Sequence, residues 1–193
     1  MQEFIFKKDY RNNETLRTSF FELAANTFDI KFENWYQQGF WGERYIPFSF
    51  VDGDQVIANA SVNIIELIIH GEKKKAIQIG TVMTHPDYRG KGLSTRLMNK
   101  ILEEYDNKYD LMYLFANESV LDFYPSLGLS LWKNIFFQWI IRQKNHPSLR
   151  TFGNSMLLTR RICALSTNLH PKDYLFRSIL QPIMPRAYSC ITA

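Results

Sequence analysis

The spacing of apolar residues divides this chain into short elements. Glu3 to Lys7 alternates weakly and predicts a short strand. Between Asn13 and Phe28, the residues Leu16, Phe20, Phe21, Leu23, Ala24 and Phe28 recur near i, i+4, i+7 and predict a helix. Phe32 to Trp41 follows as a second, aromatic-rich helical piece that ends near Gly39 and Gly42. Two β-prone runs, Tyr45 to Val51 and Gln55 to Ile69, flank Asp52-Gly53-Asp54 and predict a hairpin closed by an Asp-Gly turn. His70 to Lys75 reads as another turn and Ala76 to Thr84 as a further strand. Leu93, Leu97, Met98, Ile101 and Leu102 give the stretch from Gly90 to Tyr105 the stripe of an amphipathic helix. Leu111 to Ala116 is continuously apolar, as a strand covered on both faces is. Val120 to Leu127 predicts a short helix and Leu129 to Ile141 a long strand.

The resulting order is β-α-α-β-β-β-α-β-α-β, without an internal repeat. Three antiparallel strands followed by strand–helix–strand predict a single α/β (α+β) domain. Its sheet is mixed and mostly antiparallel with helices on both faces, not doubly wound. At 193 residues, 46% hydrophobic and 15% aromatic, the chain is long enough to bury a core, which excludes wholesale disorder. No apolar run approaches the roughly 18 residues of a membrane span; the densest, Ile135 to Ile141, is broken by Gln138. The opening MQEFIFKKDY lacks the apolar stretch of a signal peptide, so a cytoplasmic protein with no membrane contact is expected. Cys163 and Cys190 cannot make a disulfide framework.

Charge changes this picture by splitting the chain. The formal net charge is +4, yet Met1 to Ile141 holds 15 Lys and Arg against 18 Asp and Glu. Arg142 to Ala193 holds 8 basic residues and one acid, Asp173. Four of the seven prolines and both cysteines also fall in this second stretch, and all four tryptophans in the first. The expected organisation is a main domain over residues 1–141 and a basic extension over 142–193. That extension, with turn residues and no sustained period, reads as irregular or truncated. It lacks interleaved basic and aromatic residues, which argues against a nucleic-acid surface. The oligomeric state is left open between a monomer and a homodimer.

One segment concentrates chemistry. Ile79 to Ser94 leads from a strand, through a turn with Gly90 and Gly92, into the best helix of the chain. A helix N-terminus carries unpaired N–H groups and about half a positive charge. Glycines let an anion approach them, and Arg89 and Lys91 add positive charge, so the physical reading is a pyrophosphate cradle. An ordinary glycine turn that starts a helix has the same local pattern. A Walker loop is absent. The dinucleotide fingerprint fails, because Thr95 stands where its third glycine belongs and Asp110 begins the next strand instead of ending it.

The segment Val82-x-Thr84-x-Pro86-x-Tyr88-Arg89-Gly90-x-Gly92-Leu93-Ser94 resembles the coenzyme A signature of the GNAT acetyltransferase superfamily. Ala116-Asn117-x-x-Val120-x-x-Phe123-Tyr124-x-x-Leu127-Gly128-Leu129 resembles that superfamily's second motif, at the expected separation. The likeness covers Met1 to Ile141. Departures are Ser94 for the usual Gly or Ala, Thr84 for an aliphatic and Leu129 for Phe. Ile65 to Gly92 also resembles the enhanced-intracellular-survival branch, whose members acetylate amines of antibiotics and proteins.

The resemblance implies an N-acetyltransferase that moves acetyl from acetyl-CoA, as co-substrate and without a metal, directly to a primary amine of a small molecule or protein. The alternative on the same fold is a non-catalytic acyl-CoA-binding or regulatory module. By resemblance, backbone groups of Val82, Met83 and Thr84 pair with the pantetheine arm, and one amide polarises the thioester carbonyl. Arg89, Gly90, Lys91, Gly92, Leu93, Ser94 and Thr95 surround the pyrophosphate, and Asn117 and Ser119 meet the arm from the other side. Tyr124 is the expected catalytic residue, donating a proton to the departing thiolate.

Other assignments rest on weaker signals. His85 and Glu66 lie near the relevant strands, but neither is assignable as a base. Trp35, Tyr36, Phe40, Trp41 and Tyr45 read either as a substrate wall or, more readily, as core. Lys73-Lys74-Lys75 reads as a solvated hairpin tip. His70, His85, His146 and His170 show no metal spacing.

Overall fold

Two faces of one sheet each carry a helical layer in the computed structural model, which describes residues 4–69, 72–116, 120, 122–133 and 138–143. Among those residues seven strands join: β1 (Ile5–Lys8), β2 (Tyr45–Asp52), β3 (Gln55–Ile69), β4 (Glu72–Thr84), β5 (Leu111–Phe115), β6 (Ser130–Lys133) and β7 (Gln138–Gln143). Their spatial order is β1-β2-β3-β4-β5-β7-β6, and every neighbouring pair is antiparallel except β4–β5. That one parallel pair is joined through the crossover helix α3 (Leu93–Glu104), as parallel strands require. Helices α1 (Glu14–Phe28) and α2 (Phe32–Gln37) precede β2. The mixed, mostly antiparallel sheet with helices on both faces is the architecture expected from the sequence.

Strand alternation sends successive side chains to opposite faces. Phe48 and Phe50 of β2 and Ala58, Ala60 and Val62 of β3 pack with Leu93, Leu97, Met98 and Ile101 of α3. Tyr45, Val51 and Val56 pack instead with Leu16, Phe20 and Ala24 of α1 and Phe32 and Trp35 of α2. Helix α1 starts where the Asn13 side chain accepts a hydrogen bond from the Leu16 amide at 3.0 Å. It stops at Asp29, whose left-handed φ of 57° lets its amide return to the Ala25 carbonyl. The buried face of α3 is the predicted set Leu93, Leu97, Met98, Ile101 and Leu102.

Several elements differ from expectation. Lys73 to Lys75 is not a turn: β4 begins at Glu72, and these lysines lie opposite Ile68, Leu67 and Glu66 of β3. Partners make this tolerable, since Lys74 Nζ sits 2.7 Å from Glu72 Oε2 and the Lys75 amide donates to Asp110 Oδ2 at 2.8 Å. Val120 to Leu127 is not an α-helix; its last part is a 3-10 turn, Pro125–Leu127, closed at Gly128 with φ 76°. Pro125 cannot donate, and its ring would clash with the carbonyl four residues back in a longer helix. Leu129 to Ile141 is two strands, not one: Ser130 pairs with Ile141 and Lys133 with Gln138. An apolar run without glycine or proline gives no sign in the sequence of where one strand ends and the next begins. Helix α2 ends at Gln37 and α3 starts at Leu93, both shorter than the spacing predicts, because Gly39, Gly90 and Gly92 have φ of 76°, 75° and 70°. Strand β7 runs to Gln143, two residues beyond the expected domain boundary; the rest of the extension lies outside the described residues.

Candidate active site

Strands β4 and β5 part company, and that separation makes the site. Their pairing runs from Ala76–Leu111 to Ile79–Leu114 and stops, although β4 continues to Thr84. From Gly80 onward the β5-facing edge of β4 has no strand beside it among the described residues. On its other edge β4 is irregular: Ser61 is opposite Gly80 and Asn59 opposite Met83, so Thr81 and Val82 share a single partner position. This is a β-bulge. Thr81 has φ 45°, a left-handed value. For a β-branched residue that conformation costs about 1–3 kcal/mol and persists only where surroundings enforce it.

The enforcing groups are buried and polar. Ser49, Asn59 and Ser61 are fully buried on the α1 side of the sheet. Tyr10 Oη and Ser49 Oγ are 2.7 Å apart, and Ser49 Oγ donates to Asn59 Oδ1 at 2.9 Å. Asn59 Nδ2 donates to the Thr81 carbonyl at 2.8 Å and to Ser61 Oγ at 2.9 Å. Thr81 Oγ1 donates to Ser61 Oγ at 2.8 Å and lies 3.0 Å from Tyr45 Oη. Burial pushes the Tyr45 phenol up to about 12, partly offset by its hydroxyl partners. Burial likewise pushes Tyr10 far above the usual tyrosine range.

Beyond Thr84 the chain makes a 3-10 turn, Pro86–Tyr88, and then the glycine turn. Tyr88 anchors it, donating to Asp52 Oδ2 of the β2–β3 hairpin at 2.9 Å, and that acceptor holds the Tyr88 phenol above its ordinary value. Gly92 is the N-cap of α3, with no side-chain cap and no acid in the first turn. Among the described residues no side chain caps the N–H groups at that end. Thr84 Oγ1 and Ser94 Oγ lie 2.9 Å apart. Two departures from the superfamily pattern are thus one contact, which ties the end of β4 to the first turn of α3.

These parts enclose a cavity of about 840 Å³. Of the residues expected to bind the co-substrate, Val82, Met83, Thr84, Arg89, Gly90, Gly92, Leu93, Ser94 and Thr95 line it, and so does Tyr124. Lys91 does not: its ammonium lies over the Tyr88 ring, 4.5 Å from the centroid, with Phe4 at 5.7 Å. Asn117 and Ser119 fall outside the described residues. Gly80, Thr81 and Asp122 also line the cavity and were not singled out from sequence. A glycine inside a strand pattern signals a bulge, so Gly80 did carry a clue.

Tyr124 is 4% exposed, and burial pushes its phenol up to about 12. It is therefore a neutral donor across the physiological range. His85 accepts from the Asp87 amide, Glu66 is exposed on β3, and neither lines the cavity. Trp35, Trp41 and Tyr45 are buried in the aromatic core with Phe20 and Phe32; Tyr36 and Phe40 pack against it. None of the five lines the cavity, so packing is their role. Among the described residues no helix is long and apolar enough to cross a membrane, and no cluster of His, Cys, Asp and Glu is placed to hold a metal.

A family profile described as an acetyltransferase (GNAT) domain matches residues 13–132. N-alpha-acetyltransferase 50 of Danio rerio is 33% identical over 67 residues, which span 32% of this chain and 40% of that protein. The structure of Arabidopsis thaliana NAA60 in complex with acetyl-CoA superposes with a TM-score of 0.60 at 16% identity, covering 75% of this chain and 100% of the other. A conserved protein of unknown function from Enterococcus faecalis superposes with a TM-score of 0.57 at 21% identity, over 68% of this chain and 33% of that one. These matches do not distinguish the enhanced-intracellular-survival branch. The chain belongs to the GNAT acetyltransferase family.

Proposed function

From that membership we propose that the cavity takes acetyl-CoA and that the chain transfers the acetyl group directly to a primary amine of a protein or small molecule. One observation carries this reading: a single cavity joins the open edge of β4, the uncapped N-terminus of α3 and the buried Tyr124. An extended pantetheine arm suits the edge at Val82 to Thr84, which offers it the hydrogen bonds of an added strand. A pyrophosphate suits the turn from Arg89 to Thr95, where oriented amides and a helix dipole favour negative charge. Asn117 and Ser119 complete the proposed arm site.

In the reaction the amine nitrogen attacks the thioester carbonyl carbon, a C–N bond forms, the C–S bond breaks and sulfur leaves as thiolate. The nitrogen loses one proton and the sulfur gains one. With a phenol near 12 and a thiol near 8.5, full transfer from Tyr124 is uphill by about 5 kcal/mol. Tyr124 therefore acts by donating a hydrogen bond to the developing thiolate, with the proton balance closed by the amine's own proton. Asp122, the one carboxylate among the described lining residues, and the apolar Phe28, Ile30 and Phe123 favour a cationic amine with an apolar substituent. Likeness to an N-alpha-acetyltransferase supports a protein amino group within that class.

Tyr124→Phe should lower kcat at least tenfold, about 1.4 kcal/mol of transition-state stabilisation, with little change in acetyl-CoA affinity. Steady-state kinetics alongside calorimetry checks this; an unchanged kcat removes the role.

A further inference from the structure

We infer that Asn59 is a positioning residue: from its buried place on β3 it grips the Thr81 carbonyl and so aims the Val82 amide into the groove, where that amide polarises the thioester carbonyl. The inference rests on the acetyl-CoA reading of the cavity and adds to it a residue that never touches the ligand.

A buried carboxamide on a central strand is unfavourable unless its hydrogen-bonding groups are satisfied, and here both ends are engaged. Its orientation is fixed by chemistry, because a carbonyl can only accept, so the nitrogen must face Thr81 and the oxygen Ser49. Ser49 is itself held by Tyr10, which anchors the far end of the chain of bonds.

The consequence follows from the planar trans peptide. The Thr81 carbonyl and the Val82 N–H belong to one plane and point in opposite directions. With the carbonyl drawn toward β3 by Asn59, the N–H is turned toward the β5 side, where strand pairing has already ended at Ile79–Leu114. Without that grip the bulge would relax, since Thr81 holds a left-handed φ of 45° that its branched side chain disfavours. A ladder bond in place of the bulge would point this amide differently.

The test uses the full chain with acetyl-CoA labelled at the acetyl carbonyl carbon and no amine present. Infrared difference spectra should show the wild-type thioester carbonyl stretch moving to lower wavenumber on binding. In Asn59→Ala that shift should largely disappear and kcat should fall at least tenfold, on the scale of a lost oxyanion donor, while acetyl-CoA Kd stays within about threefold. Should Asn59→Ala not fold, Ser49→Ala carries the test: it keeps the Asn59 amide beside the Thr81 carbonyl but frees the Asn59 oxygen, so the grip on the bulge loosens, part of the shift is lost and kcat falls about threefold. A folded variant with the wild-type band and wild-type kcat overturns the inference and leaves the acetyl-CoA reading standing. A wild-type chain with no bound band and no turnover takes both down together.

Discussion

At the helix end of the cavity, Gly90 and Gly92 take φ of 75° and 70° because they have no Cβ to object. At the strand end, Thr81 takes 45° despite a branched Cβ, held by hydrogen bonds with Asn59, Ser61 and Tyr45. Both ends line the same cavity, and the proposed function gives both the task of offering backbone N–H groups to it. The first does so through a few consecutive residues, the second through side chains contributed by two neighbouring strands. A backbone site can therefore be local and written in glycines, or distributed and written in buried polar contacts.

The largest expected effect breaks the local end. Valine at Gly90 and Gly92 together would force two branched residues into left-handed geometry at about 1–2 kcal/mol each. Acetyl-CoA affinity measured by calorimetry should weaken about tenfold to a hundredfold; unchanged affinity would show that the turn is not the anion cradle.

The distributed end is probed by alkali. Burial raises the Tyr45 phenol from 10 to about 12 in the folded chain. The folded state then holds a proton that the unfolded state has released, so stability is intact below pH 10 and falls as pH rises toward 12. Tyr45 contributes about 2 kcal/mol to the fall between pH 9.5 and 11.5, read as a drop in urea midpoint; Tyr10 and Tyr124, which burial also raises, add to it, so Tyr45→Phe should make it shallower. A wild-type midpoint that is constant over that range would contradict the burial of this hydroxyl.

Smaller effects sharpen the contrast. Arg89 is exposed and its Nε reaches the Thr84 carbonyl at 3.3 Å, so its charge is only partly committed. Arg89→Ala should weaken acetyl-CoA binding by about 1 kcal/mol, and the deficit should shrink as salt rises. The smallest effect falls on the link between the two ends. Ser94→Ala removes its contact with Thr84 and should cost about 0.5–1 kcal/mol in thermal unfolding, with at most a few-fold change in acetyl-CoA affinity.

The same contrast explains what could be read in advance. The amphipathic face of α3 and the glycine turn were legible because their determinants are local: a stripe at Leu93, Leu97 and Ile101, and two glycines before it. Asn59 was not, because its meaning lies in Ser49 and Thr81, 10 and 22 residues away in sequence and beside it in the sheet. Lys73 to Lys75 misled for a related reason: charge suggested a turn, while cross-strand partners and Asp110 make a strand. Pro125 was visible but overridden by apolar spacing, and a 3-10 turn resulted.

Acetyl transfer from coenzyme A to an amine is the reaction proposed for this cavity. The most direct measurement incubates the full chain with acetyl-CoA and a panel of amines, including peptide α-amines, lysine side chains and small cationic amines with apolar substituents. Free thiol and the mass of the acceptor are followed together. The account predicts thiol release with at least one amine, matched one to one by an acetyl group gained on that amine, and suppressed by Tyr124→Phe. Binding of acetyl-CoA with thiol release no faster than the enzyme-free background for every amine would contradict it, and would mark the chain as an acyl-CoA-binding module instead.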